Sequence, residues 1–357
     1  MGILRFFLAL SVIFSHVGLI GGFTFGDGRM SVQAFYMISG FYMSLVWIEK
    51  YSKLPNPISS FYISRALRIY PLYFLVLAGV LLVGFVAGPR SPIAFHFIDA
   101  INVLGWPTAT WVYLTQLTLI GMETPLFLDF NLHKYMILPV AWTLGLELTF
   151  YLLVPFLLSR MSRLLSVLIL SLILRVLALI NGPTEDAILN EALWSYRFFP
   201  FEIALFLAGA FAYRLFAQLP NKLIVLIARK DIYFLIVLVA IGYLCYFNML
   251  LPRLGEATYW LYYLIIFIGI TVLFQHTKTS KHDRLIGELS YPMYISHIPI
   301  LWFVATFCQQ DNRLYFVIPL TLLASMILCR LQKVIDDYRY KLLKQGVEAR
   351  TKLIETL

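Results

Sequence analysis

Charge is scarce in this chain. Only 13% of its 357 residues are Asp, Glu, Lys or Arg, while 61% are hydrophobic and 16% aromatic. A soluble domain carries about 25% charged and 45–50% apolar residues. A chain with mean hydropathy +0.81 could not hide its apolar surface in water, which predicts a polytopic membrane protein. Cysteine is also sparse. Cys245, Cys308 and Cys329 are odd in number, scattered and set in apolar runs, which excludes a disulfide framework and any metal-ligand spacing. No Gly/Ser linker, heptad run or short-period repeat interrupts the sequence. The first apolar run is too long for a leader's hydrophobic region, and GLIGGF offers no A-x-A site, so a retained first span is expected. The expected organisation is one membrane domain over 1–332, a tail over 333–357, and no appended soluble domain.

What is present begins with apolar runs. About 20 apolar residues are needed to cross the hydrocarbon core. Stretches near 3–22, 31–48, 70–88, 135–158, 163–181, 198–217, 231–250, 257–276, 290–308 and 314–332 qualify. The net charge of +9 then has a simple home in loops, and no nucleic-acid partner is expected. Lys50, Lys53, Arg65 and Arg68 fall between the second and third stretches. Arg160 and Arg163, then Arg214, Lys222, Arg229 and Lys230, then Lys278, Lys281 and Arg284, fall in alternate later loops, with six more after 332. The intervening loops lean acidic, with Glu185, Asp186 and Glu191 against Arg197. The alternation predicts an all-α, polytopic membrane helix bundle of about ten transmembrane helices, with both termini cytoplasmic. The expected location is the cell inner (plasma) membrane. Residues 89–134 resist this scheme. They include INVLGWPTATWVYLTQLTLIG, apolar but broken by Pro107, and are expected to form an outer re-entrant or interfacial segment. Its Trp106, Trp111 and Tyr113 could wall an acceptor or simply form an aromatic belt. The tail, KVIDDYRYKLLKQGVEARTKLIETL, reads as a basic amphipathic helix on the cytoplasmic leaflet.

Ionisable groups inside spans cost about 2.5–3.5 kcal/mol each at a helix centre, and few occur here. Arg175 and Glu202 are each expected to be structural, since an intramembrane ion can merely pair with an opposite charge and fix helix register. Ser290, Tyr291, Tyr294 and His297 share a helical face, which an interhelix hydrogen-bonded contact would explain. Trp142 and Tyr151 flank Glu147 and could simply pack. His16 has no polar partner among its neighbours. It lies about 16 Å along the helix axis from Arg5, and about three full turns place both on one face. That geometry suits a ligand laid along the helix, its anionic end at Arg5 and its reactive end at His16, a natural general base near neutral pH. Arg65 and Arg68, at i and i+3 before Pro71, could hold phosphates or merely anchor the span. Pro71 is expected to set the start of that span.

These segments, in order, resemble the membrane acyltransferase-3 family. Arg5 and His16 match its Arg-x10-His. SVQAFYMISGF over 31–41 is similar to its GV-D/Q-x-FFxxSGF segment, with Gln33 at the acid-or-amide position, Tyr36 for the second Phe and Ser31 where Gly is common. Arg65 and Arg68 match its Arg-x-x-Arg before a Pro. WTLGLELTFYLLVP is similar to its W-S-L-x-x-E-x-x-F-Y-x-x-x-P block, with Thr143 for Ser, and LSYPMYISHIPIL to its SYxxYLxH segment. The resemblance implies an enzyme that moves an acyl, usually acetyl, group from acyl-CoA to extracytoplasmic sugars or other acceptors. On that reading acyl-CoA (acetyl-CoA) is a co-substrate, and neither a metal nor a permanently bound cofactor is expected. His16 and Glu147 would be catalytic, with Glu147 orienting the imidazole as an acid does in a triad. Arg5, Arg65 and Arg68 would bind the donor. Gln33, Ser39, Trp142, Tyr294 and His297 would face substrate. The expected partners are acyl-CoA, a carbohydrate or glycolipid acceptor and the lipid bilayer. An N-acyltransferase acting on a lipid or sugar amine stays open. A transporter or flippase is the other alternative, although no inverted repeat or matched pair of interrupted spans supports it.

Overall fold

The computed structural model describes residues 1–18, 25–87, 100–180, 196–307 and 313–355. Positions 19–22, 89–99, Glu185, Asp186, Glu191 and Cys308, which entered the expectations above, lie outside the described residues. Among the described residues the chain is all-helical. The principal helices are α1 (Gly2–Val17), α2 (Gly28–Glu49), α3 (Pro57–Ala87), α4 (Trp106–Thr118), α5 (Trp142–Leu157), α6 (Met161–Ile180), α7 (Phe199–Ala217), α8 (Lys230–Leu254), α9 (Ala257–Thr277), α10 (Lys281–Glu288), α11 (Ser290–Phe307) and α12 (Arg313–Glu355). Eight stretches, in α2, α3, α5 to α9 and α12, are long and apolar enough to cross a membrane. The other two expected spans coincide with α11 and with α1, which is shorter at 16 residues.

Several boundaries differ from the sequence reading. α1 stops one residue after His16, at Gly18 with φ 95°, a left-handed position that favours glycine. His16 therefore sits in the last turn of its helix, not mid-span. α3 begins at Pro57 and runs through Pro71 without a break, so Arg65 and Arg68 ride on the first turns of a long helix and Pro71 starts nothing. α5 begins only at Trp142, after two short 3-10 turns, because Pro139 cannot donate to a helix arriving from 135. Within the segment that resisted assignment, α4 has 13 residues, about 20 Å and too short to span. It leans on α3 through Tyr73, whose hydroxyl donates to the Gln116 carbonyl at 2.6 Å. α12 continues unbroken for 43 residues, so the last span and the basic tail are one rod.

Lipid and protein faces separate clearly. α6, α8 and α12 leave most of their apolar windows uncovered, with Leu238 70%, Phe234 64% and Ile169 55% exposed. Such side chains suit lipid. α2 is central and touches α1, α5, α7 and α9. It meets α7 backbone to backbone. A Cβ on Gly40 would fall onto the Phe206 carbonyl, and one on Gly209 onto the Met37 carbonyl. Small residues at reciprocal positions permit this approach, the usual device where no hydrophobic driving force pulls helices together. Tyr36, Phe206 and Phe150 stack across the seam at centroid distances of 4.4 and 4.5 Å.

Side-chain contacts define two ends of the bundle. At one, Gly2 and Ile3 donate their N–H groups to Asp283 of α10 at 2.7 and 3.0 Å, which caps α1 from outside the helix. The Arg214 guanidinium donates to the Leu158 carbonyl there, and Tyr213 donates to Glu49 at 3.0 Å. This is the basic end. At the other, Arg29 pairs with Glu256 at 3.0 Å and the rings of His16 and His297 approach. This is the histidine end.

Candidate active site

At the basic end, α1, α3 and α12 converge four guanidiniums. Arg68 donates to Asp336 Oδ2 at 2.8 Å, and Arg339 reaches Asp336 Oδ1 at 3.0 Å. Arg65 lies one turn back on α3. It donates to Ser64 Oγ at 3.2 Å and rests 6.0 Å from the Tyr51 ring centroid. Arg5 has its guanidinium 5.7 Å from the Tyr42 ring and within electrostatic reach of Arg68. It makes no hydrogen bond or ion pair among the described residues. The Nε groups of Arg5 and Arg65 and Nη1 of Arg339 are buried without a hydrogen-bond partner. Among the described residues the cluster carries more cationic charge than bonded carboxylate. Arg5, Arg65 and Arg68 thus come together as expected. Arg339 and Asp336 were hidden within the tail's basic charge.

Midway, Glu147 of α5 accepts hydrogen bonds from Ser39 of α2, at 2.7 Å, and from the Tyr151 hydroxyl. The expected triad pairing is not present: no hydrogen bond joins Glu147 to His16. The reason is geometric. His16 turns its Nδ1–H back onto the Val12 carbonyl one turn below, at 2.9 Å, while Glu147 lies one turn from Thr143 toward the basic end. A carbonyl can only accept, so this contact fixes the imidazole tautomer and leaves the Nε2 lone pair bare. His16 is exposed.

What meets His16 is a second histidine. The rings of His16 and His297 lie 5.1 Å apart between centroids. His297 is fully buried and repeats the same device: its Nδ1–H donates to the Tyr294 carbonyl at 2.6 Å, and its Nε2 has no partner. Tyr294 in turn donates to the Val140 carbonyl at 2.9 Å and accepts from Thr143 at 2.8 Å, which locks α11 to α5. Trp142 stands beside this group, its ring facing Tyr196 at 4.9 Å and the Arg197 guanidinium at 4.8 Å. Arg197 is also within electrostatic reach of His16 and has no carboxylate partner among the described residues. The sequence showed Arg197 only as a loop charge. Its position beside the imidazole was not legible, because its contacts come from α1 and α5.

Gln33 sits elsewhere, in a buried network. Its amide nitrogen donates to both Glu202 oxygens at 2.8 and 2.9 Å, and Tyr263 donates to its oxygen. Glu202 also pairs with Arg175 at 2.7 Å, both side chains at most 2% exposed. A structural role is expected for Arg175 and for Glu202; the structure shows that they serve it together, with Gln33 drawn in. Another carboxyl escaped the sequence reading. Glu123, in the turn after α4, is 6% exposed, has Oε2 unpartnered and faces the backbone of Gly145. Burial pushes its carboxyl up to about 7.

The family described as an acyltransferase domain matches residues 1–330. An uncharacterized protein of Aquifex aeolicus is 26% identical over 213 residues, 57% of this chain and 90% of that protein. The O-acetyltransferase OatA of Staphylococcus aureus strain NCTC 8325 is 25% identical over 389 aligned positions, 98% of this chain and 60% of OatA. OatA of strain MRSA252 is likewise 25% identical, over 92% of this chain and 54% of its own length. The chain thus spans little more than half the length of these O-acetyltransferases. No solved structure matches. The chain belongs to the acyltransferase domain family.

Proposed function

We propose that this member of the family is an integral membrane O-acyltransferase that carries an acyl group, most simply acetyl, from acyl-CoA to a hydroxyl of an exported or cell-envelope carbohydrate. The observation that carries the reading is the division of labour along α1. One end bears Arg5 inside an arginine cluster. The other bears an imidazole whose Nε2 is free to take a proton. The roughly 16 Å between them is a length that an extended pantetheine arm can cover. Glu147, Ser39 and Tyr151 lie between and can hydrogen-bond the arm's amides.

In the proposed reaction the nucleotide phosphates of acyl-CoA sit on Arg5, Arg65 and Arg68. Nε2 of His16 removes the acceptor's hydroxyl proton as its oxygen attacks the thioester carbonyl. The C–S bond breaks, the thiolate leaves and is protonated by His16, and the products are the acyl ester and free CoA. Arg197 supplies positive charge at the end where the oxyanion develops. His297 buttresses the His16 ring from its buried position. With a cytoplasmic donor, the basic end faces inward. The lysine and arginine excess of its loops supports that orientation, and the relatives named as O-acetyltransferases support oxygen as the acceptor atom.

The decisive experiment reconstitutes the full chain in nanodiscs with labelled acetyl-CoA and follows thiol release. Envelope glycans from cells with and without the gene are compared by mass spectrometry in parallel. Acceptor-dependent thiol release and a gene-dependent O-acetyl mass increment are expected. No thioester turnover from folded protein, or label on an amine, would overturn the reading.

A further inference from the structure

Among the described residues, Asp336 is the one carboxylate bonded within the guanidinium cluster. It sits on α12, beyond the apolar part of that helix; one oxygen accepts from Arg68 at 2.8 Å and the other is ion-paired with Arg339 at 3.0 Å. Gln332, one turn back, adds its amide at 3.3 Å. Asp283 is occupied by the N–H groups of Gly2 and Ile3. Glu288 lies within reach of Arg5 without bonding it. Arg339 is within electrostatic reach of Arg65 as well as Arg68. The bonded negative charge of Asp336 therefore meets two of the four guanidiniums, and one nitrogen each of Arg339, Arg65 and Arg5 is buried without an acceptor.

Cations brought this close repel one another, and each unmet buried donor is costly. A carboxylate has two oxygens and one charge. A phosphate or diphosphate has more of both, and guanidiniums suit it through bidentate forks. Asp336 presents its two oxygens much as a phosphate presents two of its own, and it holds α12 against α3 in the meantime.

We infer that Arg339 of α12 completes the donor site as a third phosphate-binding arginine beside Arg65 and Arg68, and that Asp336 is an internal placeholder whose oxygens the incoming phosphate replaces. The inference rests on acyl-CoA being the donor. It adds that the part of α12 beyond its apolar stretch belongs to the catalytic unit and is not only a membrane anchor. When CoA binds, Arg68 and Arg339 exchange Asp336 for phosphate, and Asp336 is released toward Gln332 and solvent.

The test measures coenzyme A binding by calorimetry to full-length protein in zwitterionic nanodiscs, and turnover with acetyl-CoA against S-acetylpantetheine, which lacks the nucleotide. Arg339→Ala should weaken CoA binding about ten-fold or more, the loss of a charge-assisted pair. It should leave turnover with S-acetylpantetheine at the wild-type rate. Asp336→Asn keeps the side-chain shape and removes the competing charge, so it should tighten CoA binding several-fold. This opposite sign keeps the inference testable if Arg339→Ala fails to fold. Wild type that binds CoA while both variants match it would overturn the inference and leave the donor reading intact. Asp336→Asn that weakens binding would overturn the placeholder. Equal losses with both donors would show that Arg339 merely holds the fold. CoA binding unaffected by Arg339→Ala in zwitterionic discs, but a changed response to added phosphatidylglycerol, would assign the cluster to a lipid headgroup and overturn the inference. Wild type that binds no CoA at all would overturn the donor reading and this inference with it.

Discussion

Two groups of buried charge can be set side by side. In the network of Arg175, Glu202, Gln33 and Tyr263, a cation meets an anion, and the anion's two oxygens are met again by an amide. At the basic end, four arginines converge, and Asp336, the carboxylate bonded among them in the described residues, meets two of them, so cations outnumber bonded anions. The bare Nε2 atoms of His16 and His297 belong with the second group. A network closed in charge, one cation to one anion, fixes helix register, and removing either ion leaves the other buried and unmet. A group left open holds capacity for something that arrives later. The chain's ionisable residues look alike when counted along the sequence, yet they divide this way once their partners are known.

The largest effect should come from opening the closed network. Arg175→Leu leaves the Glu202 carboxylate buried without its cation, a loss of about 3–5 kcal/mol. It should show as a sharp drop in thermal melting and poor recovery from detergent. Adding Glu202→Leu should restore most of that stability, because the charge itself is then gone. A double variant as unstable as the single one would erase the distinction between closed and open groups.

Glu123 gives the next effect, and it depends on pH. Its carboxyl titrates at about 7 in the folded protein, against 4.5 ordinarily. The folded state therefore holds the proton to higher pH than the unfolded state does. Stability is undiminished below about pH 4.5, falls as pH rises through 7, and is level above that, by at most ~3 kcal/mol. Glu123→Gln should be more stable than wild type at pH 8 and equal to it at pH 4. Melting curves at the two pH values check this, and an identical offset at both would refute the buried-acid account.

His16→Ala should leave stability nearly unchanged, since His16 bonds only its own helix, yet lower acyl transfer at least ~10²-fold. Thiol release by a well-folded variant at the wild-type rate would remove His16 from the chemistry. Arg65→Ala should act more mildly, raising the KM for acyl-CoA about ten-fold, as one charge-assisted contact is lost, with a smaller change in kcat. Lysine there should recover only part, for want of the fork. An unchanged KM would place the phosphates elsewhere.

The amino-acid sequence by itself determined the architecture. Apolar runs marked an all-helical membrane bundle, eight of whose described helices are long and apolar enough to cross, because burying a hydrophobic side chain in lipid is a local and nearly additive matter. It also marked the groups out of place in lipid: Arg5, His16, Glu147, Arg175, Glu202 and His297 all proved to be buried or to lie in polar clusters. Helix ends were less legible. Gly18 closes α1 early and Pro139 delays α5, while Pro71 passes inside α3, since a proline's effect depends on whether neighbouring helices support the turn around it. Only the tertiary structure decided who meets whom. Glu147 bonds Ser39 and Tyr151 rather than His16, His297 takes the place beside His16, and Asp336 reaches Arg68 from 268 residues away in the chain. Such pairings depend on how helices that are remote in sequence rotate and seat against one another, at contacts such as Gly40 against Phe206. No local pattern of residues encodes that rotation.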